Sequence, residues 1–197
     1  ATRIKLFKET KRERFLQPDE LPRFFKALAD EPNTIFRNFC VLSLLLGQRR
    51  SNTEAIKWSD VDFENRIIRI AETKTGKPQL VVLSDQAIEV LQEMRTFSTS
   101  EWLFPSAYSK SGHLETPSKL WQKLLERANI QDLRIHDLRR TFASYQAMNG
   151  ASETIIGDSI GDKSPAAISI YARINKDPVR ISVQQATDRI FQSATNK

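Results

Sequence analysis

Apolar residues recur along this chain with two periods, and the switch between them divides it. From residue 17 to 58 they return every three or four positions, as on a helix with one buried face. The stretch "QPDELPRFFKALADEPNT" predicts a helix with proline and acidic residues in its first turn, ending near Asp30. "TIFRNFCVLSLLLG" predicts a second, mostly buried helix closed by Gly47, and "SNTEAIKW" a short third one with Ser51 as candidate N-cap. The period then changes. "RIIRIAE" and "PQLVVLS" are β-branched runs flanking "TKTGKP", which predicts an antiparallel hairpin with Gly76 in its turn. Helical spacing returns in "SDQAIEVLQEMR", gives way to a loop-rich connection over 97–117 broken by the apolar "WLF", and resumes in "PSKLWQKLLERAN" and "HDLRRTFASYQAMNG". It continues in the pair "SETIIGDSIG" and "SPAAISIYARIN", and in a last segment, "DPVRISVQQATDRIFQSA", that opens with Pro178. The expected fold class is mainly α (α+β), with one small antiparallel sheet, no internal repeat and no low-complexity tract.

Composition narrows this picture. A chain of 197 residues fits one domain with a real core. The longest apolar run, from Cys40 to Leu46, is far short of a membrane span, and no signal-peptide pattern opens the sequence, so a soluble cytoplasmic protein is the default expectation. The single cysteine, Cys40, lies in the buried helical pattern and has no partner for an intrachain disulfide. The net charge of +6 suggests an anionic partner, but it is unevenly spread. Residues 1–14 hold six basic and two acidic side chains, leaving only +2 for the other 183. Residues 1–17 therefore read as a basic linker or arm and 18–197 as the domain, on which any nucleic-acid surface must be a local cluster.

Candidate chemistry comes from a few positions. Metal chemistry is disfavoured, because His113 and His136 are the only histidines and no Cys or His pair has ligand spacing. No glycine-rich phosphate loop or nucleophile elbow is present. "RIHDLRR" sets His136 at a helix start with Arg139 three residues on, on the same face: either a clamp for a phosphate or a surface ion-pairing cluster. In "LLLGQRRSN", Arg49 and Arg50 emerge from a buried helix, either to hold an oxyanion or to cap the helix's carbonyls. Lys74 in the hairpin is either solvated or able to reach a ligand. Tyr171 shares its periodicity with Ile168 and Ile174, the pattern of a packed aromatic.

The order of these pieces is more specific than any one of them. Arginine in "GQRRSN", lysine in "TKTG", then "HDLRR" and "IGDKSPAAISIYARI" resemble the catalytic domain of the tyrosine recombinase (phage integrase) family over residues 18–175; "KWSDVDFENRIIRI" and "VVLSD" match as well. The resemblance implies a helical DNA breaking-rejoining core that needs no cofactor and no metal. It implies that Arg49 and Arg139 bind the scissile phosphate and that His136 completes the HxxR box. Lys74 is then the general acid toward the leaving 5′ oxygen, and Tyr171 the nucleophile that forms a 3′-phosphotyrosyl link. Double-stranded DNA attachment sites would be the partner, with four protomers on two sites, an isolated domain that could be monomeric, no membrane, and a bacterial host. In this family a preceding helical domain grips the other side of the DNA. This chain has no room for one, which implies a fragment with residues 1–17 as interdomain linker.

Two positions depart from the family pattern. An acidic residue usually stands three after the first arginine; here it is Asn52, which could orient the arginine by a hydrogen bond. After Gly161 a histidine or tryptophan usually donates to the phosphate; here it is Asp162. A carboxylate only accepts, and it repels a phosphate by roughly 4 kcal/mol for unit charges 4 Å apart at an effective dielectric of 20. Either Asp162 turns away or pairs with an arginine, or the site is slower, or the chain binds DNA without cutting it. The expected function is site-specific DNA recombination by an integrase of a phage or mobile element. A catalytically impaired DNA-binding module of the same fold and a type IB topoisomerase are the alternatives.

Overall fold

The computed structural model describes residues 12–70 and 78–162, with 164, 168, 183, 184, 186 and 187 besides. Within them the chain forms α1 (Leu21–Ala29), α2 (Thr34–Leu46), α3 (Arg50–Glu54), a 3-10 turn (Trp58–Asp60), β1 (Val61–Asp62), β2 (Ile67–Ile70), β3 (Gln79–Val82), α4 (Asp85–Phe97), α5 (Ser118–Ala128), α6 (His136–Met148) and α7 (Glu153–Ile160). The mainly helical fold class with a small antiparallel sheet is what the sequence predicts. The hairpin turn with Lys74 and Gly76, and the helix pattern containing Tyr171, lie outside the described residues.

Local chemistry accounts for the helix ends. Asn33 accepts the Phe36 N–H at 2.9 Å to start α2, and Gly47 closes it in the left-handed conformation (φ 61°). Ser84 and Ser152 cap α4 and α7 in the same way as Asn33 caps α2. The third helix begins earlier than predicted. Arg49 is its extended N-cap, with no side-chain cap bond, and Ser51 sits exposed in the first turn. Only Gln48 and Arg49 separate the left-handed Gly47 from the next helical turn, so Ser51 comes too late to cap it.

The sheet is antiparallel in the order β1-β2-β3, with Ile67 opposite Val82 and Ile70 opposite Gln79. Ile68, Ile70 and Val81 face the core while Leu80 and Val82 face out, the alternation expected of a sheet covered on one side. The two-residue β1 has no periodicity of its own to reveal it. The main core gathers around α2, where Phe36, Phe39, Cys40, Leu42 and Leu46 are buried; Phe39 meets Phe104 edge-on at 5.5 Å between centroids. A smaller core of Ala143, Ala147, Ile156, Ile160 and Ile168 joins α6 to α7.

Two contacts bind the rest to α6. A Cβ on Gly47 would lie 2.3 Å from Cδ1 of Phe142, so only glycine lets the end of α2 press against α6. The segment 12–17, expected as a linker, runs along α6: Leu16 is fully buried and its N–H donates to Thr141 Oγ1 at 2.9 Å. Gly47→Ala combines this overlap with a left-handed backbone that a Cβ disfavours. It should cost about 2–4 kcal/mol of stability, read as a lowered urea midpoint at unchanged slope.

Candidate active site

Three helix ends converge where α2, α6 and α7 meet, and a buried guanidinium holds them together. Arg139, on the first turn of α6, is only 5% exposed. Its Nη1 donates to the carbonyl of Gly47 at 3.1 Å and to that of Ile160. Both carbonyls belong to helix C-termini, where acceptors are left without intrahelical partners and the helix dipole is negative. Gln48 adds a parallel tie, its Nε2 donating to Leu46 O at 3.2 Å and to Ser159 O at 3.0 Å. The carbonyl-capping role considered for Arg49 and Arg50 thus falls to Arg139 and Gln48.

That leaves Arg49 directed elsewhere. Its extended backbone at the head of α3 carries the side chain toward the end of α7, where Nη2 lies 3.8 Å from Asp162 Oδ2. The same Oδ2 lies 3.4 Å from Arg139 Nη2. One carboxylate oxygen therefore bridges both guanidiniums, so of the alternatives for Asp162, pairing with arginine is what the geometry contains. Asp162 is itself fixed: its N–H donates to Gly157 O at 2.9 Å and its Oδ1 accepts the Ser164 N–H at 3.1 Å. Arg50 turns away to Glu54 at 3.2 Å and to Thr116 Oγ1. Asn52 makes no hydrogen bond to Arg49, and its Nδ2 is buried without a partner.

His136 opens α6 and stands exposed beside this pair. The protein around its ring, then the positive charges of Arg139 and Arg140, lower its pKa from the ordinary histidine value; Asp137 opposes them and Arg49 adds to them. A neutral imidazole beside two guanidiniums can accept a proton from an incoming hydroxyl, while the guanidiniums hold an anion. His113 lies apart, its ring tilted at 58° against Trp102 with centroids 4.7 Å apart and Nδ1 near Leu114 O at 2.9 Å. Among the described residues no group of three or more His, Cys, Asp and Glu side chains is placed to hold a metal ion. Lys74 and Tyr171 lie outside the described residues, so Arg49, His136, Arg139 and Asp162 are the predicted site residues that the structure brings together. Gln48 was not foreseen, since nothing in a lone glutamine marks it as a tie between two helix ends.

A lowered histidine pKa means that the unfolded chain binds the proton more readily than the folded one. The stability this involves is present above about pH 6.5 and is lost as pH falls through that value toward the depressed pKa. Glu54, whose pKa burial raises, works in the opposite sense. The comparison with His136→Gln isolates the histidine: the urea midpoint of the wild type should fall more steeply than the variant's between about pH 7 and 5.

The chain and its fold resemble known proteins. The model of the phage integrase family matches residues 14–177. The integrase of Salmonella phage P22 is 28% identical in an alignment 196 positions long that covers 93% of this chain and 49% of that protein, so the chain spans about half the length of this relative. In fold, the crystal structure of XerA recombinase matches with a TM-score of 0.71 at 24% identity, over 93% of this chain and 67% of that one. The catalytic domain of bacteriophage HP1 integrase matches with a TM-score of 0.68 at 23% identity, over 86% of this chain and 93% of that one.

Proposed function

Because this chain belongs to the phage integrase family, we propose that it is the catalytic part of a site-specific tyrosine recombinase that cuts and rejoins double-stranded DNA at attachment sites. The observation that carries this reading is the convergence of Arg49 and Arg139, beside His136, on one oxygen of an anion, which in the DNA-free chain is Asp162. A scissile phosphodiester offers the same chemistry: a single negative charge spread over two non-bridging oxygens.

In this reading Tyr171 Oη attacks phosphorus, the P–O5′ bond breaks, and the phosphate passes to the tyrosine as a 3′-phosphotyrosine. A tyrosine of ordinary pKa near 10 is a poor nucleophile at neutral pH. A neutral His136 accepting its proton would contribute ~10²–10⁴ in rate. Lys74 would return a proton to the departing 5′ oxygen. Arg49 and Arg139 would neutralise the equatorial oxygens as charge builds on them. Attack of a 5′ hydroxyl on the phosphotyrosine reverses the step and reseals a strand, because the ester bond conserves the energy of the one broken. Exchange between two sites would take four protomers on DNA. The setting would be the cytoplasm of a bacterial host. Residues 18–197 would be the catalytic domain, with the arm before it leading to further DNA contacts.

Asp162 sets the terms on which DNA enters. Two guanidiniums facing one carboxylate carry a net charge of one, enough to balance the phosphodiester but not the extra negative charge of the transition state. The carboxylate therefore has to swing away from the arginines as the phosphate arrives, and its release limits the rate. A chain in which it never leaves would bind DNA without cutting it, and Asp162 is the observation that favours this second reading.

A nicked duplex of the cognate site, which traps the covalent intermediate, separates the readings. Wild type should give a denaturation-resistant protein–DNA adduct and Tyr171→Phe none; an undiminished adduct with Tyr171→Phe would refute the nucleophile, and no wild-type adduct would favour the binding module. Asp162→His, which restores a donor and removes the competing charge, should raise the adduct rate at least ~10-fold.

A further inference from the structure

Resting on the reading of His136 as a group of the reactive centre, we infer that Arg12 is a positioning residue for it: the guanidinium of the N-terminal arm staples shut the 132–137 turn that presents the imidazole. Arg12 Nη1 donates to Asp132 Oδ1 at 2.8 Å, and Nη2 to the Asp132 carbonyl. At the other end of the turn, Nε donates to Asp137 Oδ1 and Oδ2 at 3.3 and 3.0 Å, and Nη2 to Oδ2 at 2.9 Å. The staple thus closes on both flanks of a six-residue segment that includes His136.

Each flank needs what Arg12 supplies. Asp132 has φ +50°, a left-handed conformation that a residue with a Cβ holds only where its surroundings enforce it. Asp137 is 1% exposed, and a buried carboxylate requires a charge partner and filled lone pairs. Its Oδ2 also accepts the Arg134 N–H at 2.8 Å, which folds the turn back onto the start of α6. The other cation near it, Arg140 Nη1, stands off at 3.8 Å and donates to the carbonyl of Arg12. A second thread runs beside the first: the Leu16 N–H donates to Thr141 Oγ1 at 2.9 Å, and that hydroxyl donates to Asp137 O at 2.8 Å. The arm is therefore bound to the first turn of α6 through Asp137 twice, next to His136.

A planar fork that meets two carboxylates and a carbonyl fixes direction as well as distance, which a lysine cannot do. The charged groups that act on the imidazole are Arg139, Arg140 and Asp137 on α6 and Arg49 at the head of α3, with Asp137 the one that favours its protonation. Arg12 balances the charge of Asp137 through its hydrogen bonds. Without it, Asp137 loses its nearest counter-charge and weighs more heavily against the arginines, and His136 holds its proton to higher pH.

The chain has only two histidines, so NMR titration of the imidazoles reads His136 directly, with His113 as internal reference. In Arg12→Gln the His136 titration should move to higher pH while that of His113 stays in place. The adduct rate on the nicked duplex should fall roughly tenfold at neutral pH, its acid limb moving up with the histidine, while DNA affinity changes by less than about twofold. Arg12→Lys should return the titration to the wild-type position but recover only part of the rate. An unmoved His136 titration in Arg12→Gln, or an adduct rate in a folded Arg12→Lys equal to wild type, would overturn the proposal. Should the wild type form no adduct, the function assigned to Tyr171 fails and the His136 titration alone decides the role of Arg12.

Discussion

The site depends on one buried cation. Arg139 sits in the interior, where a guanidinium is tolerated only if every loss of hydration is offset by acceptors. The acceptors are carbonyls at the ends of α2 and α7, which the helices themselves leave unpaired, and Asp162 just beyond α7. Helix ends and cation each resolve the other's deficit. The result couples three helices at one point, so the distance from Arg139 to Arg49 is set by packing, above all by the close approach of Gly47 to Phe142, and not by the reach of long side chains.

This coupling divides labour between two residues of the same kind. Arg139, at 5% exposure, is anchored to the scaffold and has little freedom to follow a ligand. Arg49, at 31%, projects from the head of α3 and shares Asp162 Oδ2 with Arg139. A fixed guanidinium defines where an anion must sit; a more open one meets it from the solvent side. Asn52, standing where the family usually has an acid, makes no hydrogen bond to Arg49, and Asp162 is the carboxylate that forms an ion pair with it, at 3.8 Å. The carboxylate facing Arg49 thus comes from the residue that follows α7 and not from position 52.

How much of this was legible in the sequence follows from the range of each signal. Helices with one apolar stripe were visible because their period is local, and so was the turn in which Gly47 ends α2. The start of α3 was not, because it depends on how few residues follow Gly47 and not on a capping side chain. The order of Arg49, His136 and Arg139 pointed to one site, but the pattern could not say which arginine would be buried; that depends on carbonyls 92 and 21 residues away. Segment 12–17 misled for a similar reason. Its charge reads as a solvated arm, yet Arg12 meets partners 120 and 125 residues further on. Long-range ion pairs leave no periodic trace.

The same logic extends to the hairpin. Gln79 closes the β2–β3 pair opposite Ile70, and a Cβ on Gly161 would fall 2.0 Å from Gln79 Oε1. Glycine at 161 therefore does two things: it permits the left-handed turn that ends α7 (φ 66°), and it leaves room for the base of the hairpin to lie against that turn. The next residue is Asp162. Lys74 is tethered four residues from Ile70 and five from Gln79, and an extended chain advances at most about 3.6 Å per residue. The general-acid role proposed for Lys74 would rest on this short tether to the strand pair seated at Gly161. The sheet and the helices are thus keyed together at Gly161, next to the carboxylate that pairs with both arginines.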